Sequence, residues 1–200
     1  MHAYANSSRQ RVWLAAVTGL WLGISMPAAQ AEPARPDIGK LSVLGGAVRL
    51  VAEVYVLDAQ VDYQFSAVVL KALENGVPLV IELEIEVVRR RTWLWNEQET
   101  QLAQRYQLSY HALTEQYLVK NLNSAVQQNL PSTEAAINAL GQVTNLPLLD
   151  KRLLVPGENY TVRLRARLDL DALPTPLRLP AYLSPQWRLT SEWYTWPLQP

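Results

Sequence analysis

The chain has 200 residues, with 18 lysines and arginines against 18 aspartates and glutamates. With 49% hydrophobic and 18% charged residues it is too apolar to be disordered, and too evenly charged for a nucleic-acid binder. Having no cysteine, it excludes a disulfide scaffold, a thiolate zinc site, a cysteine nucleophile and a lipidated N-terminal cysteine.

Residues 1–31 read as a secretory signal peptide. Arg9 and Arg11 form the positive region, Val12 to Met26 is an uncharged apolar run, and Ala29-Gln30-Ala31 offers a small-x-small cleavage site. The alternative is a retained anchor, but the run is shorter than the roughly 20 apolar residues a spanning helix needs. The expectation is cleavage after Ala31, a periplasmic location, and no stable membrane insertion afterwards. Residues 32–38, with two prolines, read as an extended leader, and 39–200 as a single domain.

The rest of the chain alternates with period two, the mark of strands with one buried face. The pattern is clear over Tyr55–Phe65 and Leu79–Val87, and again from Tyr160 to Asp169. It is weaker over Leu41–Val51, Leu102–Ala112, Gln116–Leu122 and Trp187–Trp196. Two short helices are expected. One runs from Ser66, as N-cap, to Asn75 and is stopped by Gly76 and Pro78; the other runs from Thr133 to Leu140 and ends at Gly141. Residues 173–185 hold four prolines and read as an irregular crossing. The predicted fold is mainly β, an antiparallel β-sandwich of about seven strands with two short helices.

Glu82, Glu84 and Glu86 share one face of their strand, and Arg163, Arg165 and Arg167 have the same spacing with opposite sign. The two strands are therefore expected side by side, with the charges facing across the sheet and setting register more than stability. As catalysts the carboxylates fit poorly. Asp58 and Asp62 lie about 13 Å apart along a strand, beyond either glycosidase spacing, and the glutamates at ~6.7 Å face arginines rather than a pocket. His111, the one histidine after the leader, shares a polar strand face with Gln107 and Ser109 and has no companion nucleophile or metal ligand. No catalytic residue, cofactor or metal is assigned.

Tryptophan is the surplus. Trp93 and Trp95 fall on one face just after the run Arg89, Arg90 and Arg91, while Trp187, Trp193 and Trp196 gather near the C-terminus. Packing accounts for aromatics of this kind, but exposed tryptophans also anchor interfaces. Trp93, Trp95, Arg89, Arg90 and Arg91 are accordingly the candidate partner-binding residues.

Several stretches taken in order resemble a bacterial exported family, domain of unknown function number 4390. They are YVLDAQVDYQF (55–65), ALENGVPLVIELEIEVVR (72–89), RTWLWNE (91–97), YQLSYHALTEQYLV (106–119), LLVPGENYTVRLRARLDLDALPTPLRL (153–179) and WRLTSEWYTWPL (187–198). The resemblance implies export in a Gram-negative bacterium and genes beside a nitrogen-regulation-type membrane sensor kinase; it carries over no catalytic residue. The expected function is a non-enzymatic periplasmic binding protein whose partner is an envelope protein such as a sensor kinase. Two alternatives stand beside it: a lipid or glycan carrier with a pocket between the sheets, and a carboxylate hydrolase.

Overall fold

Period-two alternation becomes nine strands in two antiparallel sheets. The computed structural model describes residues 37–90 and 97–198, within a compact unit from Arg35 to Pro200. A three-stranded sheet has the order β1 (Lys40–Val51), β2 (Val54–Gln64), β7 (Gln142–Asp150). A six-stranded sheet has the order β6 (Gln127–Leu130), β5 (Gln116–Asn121), β4 (Glu97–His111), β3 (Leu79–Arg89), β8 (Tyr160–Leu168), β9 (Tyr194–Leu198). The fold is sandwich-like and mainly β, as expected, but with nine strands among the described residues where the sequence pattern gives about seven.

The buried faces follow the alternation. Leu79, Ile81, Leu83, Ile85 and Val87 of β3 are all fully buried, beside Val162, Leu164 and Ala166 of β8 and opposite Tyr55, Leu57 and Val61 of β2. The first helix, α1 (Ala67–Glu74), is capped as predicted: the Ser66 hydroxyl accepts from the Val69 N–H at 3.3 Å and donates to the Gln186 carbonyl at 2.9 Å. The second, α2 (Thr133–Gly141), packs against β2 and β5. Its last residue must be glycine, because a Cβ on Gly141 would stand 2.4 Å from the Val61 carbonyl oxygen.

Three readings are corrected. The proline-rich crossing contains a third helix, α3 (Thr175–Leu183), with Pro176 in its first turn, where a missing N–H costs nothing. Strands β6 and β7 were not expected. The first is four polar or weakly apolar residues at a sheet edge, and the second is broken by two register shifts and contains Pro147. The expected strand Trp187–Trp196 is a strand only from Tyr194 onward, preceded by one isolated bridge between Thr190 and Arg167.

Candidate functional site

Strand β8 lies beside β3 in the register the charges require, with Glu82 opposite Arg167, Glu84 opposite Arg165 and Glu86 opposite Arg163. Arg167 donates to Glu82 at 2.9 Å and meets Glu84 at 2.7 Å, Arg165 donates to Glu84 at 2.9 Å, and Arg163 donates to Glu86. Arg105 of β4 extends the row, bonding Asp169 at 2.5 Å and approaching Glu82 at 3.7 Å. Trp193, one residue before β9, lies on this face. Its ring lies 4.6 Å from the Arg163 guanidinium carbon and 4.5 Å from that of Arg165.

The row differs in one respect from the solvated ladder expected from sequence. The carboxylate side chains keep only 10–14% of their exposure, whereas the three β8 arginines keep 32–40%. Each carboxylate is held by at least one guanidinium, which stays protonated at any physiological pH. This face is a register lock, and its acids are engaged as ion-pair acceptors.

The strand continues to the candidate partner-binding residues. Arg89 closes β3 opposite Tyr160 and Glu97, and Arg90 follows it, exposed, with its N–H on the Asn159 carbonyl at 2.9 Å. Arg91, Trp93 and Trp95 lie outside the described residues. What surrounds Arg90 was not legible beforehand. The Tyr160 hydroxyl accepts from the Val155 N–H at 3.0 Å, and the Lys151 N–H bonds the Glu53 carbonyl at 2.8 Å. The second bond joins the 151–159 connection to the β1–β2 turn, and the first ties it to the start of β8.

Four large apolar side chains stand exposed there: Leu50, Val51, Leu153 and Val155. The β1–β2 turn between them is strained. Ala52 and Glu53 have φ of 45° and 67°, so two successive residues with side chains occupy the left-handed region, where hairpin turns ordinarily use Asn-Gly. Beside it, Arg152 donates from its side chain and its backbone N–H to Asp150, which holds that carboxyl down at about 2.

The other residues weighed from sequence are dispersed. His111 is exposed, with Thr114 Oγ1 3.4 Å from its Nδ1. Asp58 accepts from Arg49 Nε and from the Asn145 N–H, both at 2.8 Å, and both bonds hold its carboxyl below the ordinary range. Asp62 accepts from Gln64 at 2.7 Å. Trp187 is buried, and Trp196 lies partly buried over Gly46, where an added Cβ would come 3.0 Å from the ring. Among the described residues no group of three or more histidines or acids could hold a metal, and no helix is long and apolar enough to cross a membrane.

Residues 46–197 match the family model described as Domain of unknown function (DUF4390), and the chain belongs to that family. Neither the curated proteins nor the solved structures gave a match.

Proposed function

We propose that this chain is an exported, non-enzymatic binding protein of the bacterial envelope, and that it docks an envelope protein at the sandwich end carrying Arg89 and Arg90. The observation that carries the reading is that Leu50, Val51, Leu153 and Val155 are exposed on two segments that the Lys151–Glu53 hydrogen bond ties together beside a strained turn. Large apolar side chains left exposed at one end of a domain are the kind of surface that a partner covers. The ladder supports the non-enzymatic part, since the glutamates available to a hydrolase are each bound by an arginine. Two clefts among the described residues, of about 250 and 480 Å³, open at the surface.

The test places a photo-reactive amino acid at Leu153 or Val155, and at exposed Leu113 as control, in cells producing the full chain. The expected result is one dominant crosslinked envelope protein from 153 and 155, a membrane sensor kinase being the partner the family resemblance implies, with nothing from 113. Equal labelling from 113 would overturn the docking surface, and an unprocessed chain retained in the cytoplasm would overturn the export.

A further inference from the structure

Strand β8 runs away from Arg90, and its far end, about 26 Å along by strand rise, carries a different surface. There α3 meets the body through buried Ala181 and half-buried Leu177, while Leu179, Tyr182 and Leu183 project outward at 69%, 47% and 74% exposure. Tyr182 also lines a cleft of about 250 Å³ with Arg167, Arg188, Thr190, the carboxylate of Asp171 and a floor of Leu168, Leu170 and Leu189. Its hydroxyl donates to exposed Asp171 at 2.6 Å, which ties that carboxylate to the helix and leaves its charge in place.

Arginine outnumbers acid around this cleft, with Arg167, Arg178 and Arg188 against Asp171. From 172 to 191 the sequence holds no acidic residue and two arginines, Arg178 and Arg188. Both are exposed. The Arg178 side chain donates to the Leu173 carbonyl at 2.8 Å, and neither arginine forms an ion pair among the described residues. Arg178 and Leu179 lie four and three residues before Tyr182 and so share its side of the helix, while Arg188 stands across the cleft from it. Cations flanking protruding leucines and a tyrosine on a short helix are the composition of an interfacial membrane contact, with apolar tips at the headgroup boundary and guanidiniums on phosphates.

We propose that α3 and the adjoining Arg188 form a peripheral docking surface for a bilayer of anionic phospholipid. Docking is reversible and leaves the sandwich outside the hydrocarbon, with the partner end facing away from the lipid. It requires no spanning segment.

The experiment is co-sedimentation of residues 32–200, which include the whole compact unit, with vesicles of phosphatidylglycerol mixed into phosphatidylcholine, and with phosphatidylcholine alone. Binding to the anionic vesicles is expected, weakening as salt rises. L179D/L183D is expected to abolish it, and R178Q/R188Q to reduce it roughly tenfold or more. L153D/V155D, at the other end, is expected to bind as the wild type does. All the altered side chains are exposed, and circular dichroism checks that each variant is folded. Several results would overturn the proposal: no binding by the wild type, equal binding to uncharged vesicles, or loss in L153D/V155D as large as in L179D/L183D. So would self-association in solution that L179D/L183D removes, which would put a second copy on α3, or a melting shift with inorganic phosphate that R188Q removes, which would make the ligand a free anion.

Discussion

The two faces of β3 solve one problem by different physics. On the inner face five consecutive inward side chains, Leu79 to Val87, are fully buried. On the outer face Glu82, Glu84 and Glu86 meet three arginines rung by rung. Burial rewards any register that keeps apolar residues inside. Because side chains alternate with period two, a slip of two residues between β3 and β8 would leave the inner face almost as well packed. The same slip would strand one glutamate and one arginine at the ends of the ladder. The inner face thus supplies the stability, and the outer face discriminates among registers that the inner face tolerates.

Substitutions on each face separate these roles. Leu83→Ala should have the largest effect, about 2–5 kcal/mol of unfolding free energy, because the side chain is enclosed and the site cannot collapse around the gap. Chemical denaturation measures it, and a loss below about 1 kcal/mol would mean that the face is less tightly packed than described. Glu84→Ala should cost less, about 1–2 kcal/mol. It removes the acceptor shared by Arg165 and Arg167, yet those guanidiniums remain about a third exposed and can turn to water. Trp193→Ala should cost about 0.5–1 kcal/mol, the worth of a cation–π contact at a half-exposed site. If Trp193→Ala proved more damaging than Glu84→Ala, the indole rather than the ion pairs would organise this face.

The contrast also explains what was legible in the sequence. The inner and outer faces of β3 and β8 announce themselves, because one strand carries alternating aliphatics and acids and the other alternating aliphatics and bases. Their pairing followed from charge alone. Strand β7 was hidden because it does not alternate: it shifts register twice against β2 and puts Asn145 at a φ of 52°. Helix α3 was hidden by its prolines. Pro174 and Pro176 precede or open it and so remove no needed hydrogen bond, while Pro180 forfeits one in a helix of nine residues. The candidate site was half legible. Arg90 stood out as part of a charge run, but Leu50, Val51, Leu153 and Val155 come from two separate segments. The pairing of Val54 with Asp150, with the Lys151–Glu53 and Val155–Tyr160 hydrogen bonds, brings those segments to that end.

The smallest expected effect compares the ladder with an exposed ion pair. Asp150 and Arg152 are two residues apart and lie beside the exposed apolar cluster. The Arg152 side chain is the first cause of the depression of the Asp150 carboxyl from 3.8 to about 2, and its backbone N–H the second. A carboxyl lowered in the folded state contributes stability that is complete above its ordinary value. That contribution fades as pH falls from about 3.8 and is gone below about 2. Neutral pH is therefore unaffected by its titration. Arg152→Ala removes the side-chain donor and leaves the N–H, so the Asp150 midpoint followed by NMR should rise most of the way back without reaching the ordinary value. Added salt should raise the wild-type midpoint in the same direction, because the pair is open to solvent. The ladder, with its carboxylates nearly covered, should be much less sensitive to salt. A wild-type midpoint near 3.8, or one that Arg152→Ala leaves unmoved, would show that Asp150 is not held by Arg152 and would remove that pair from the electrostatics of the docking end.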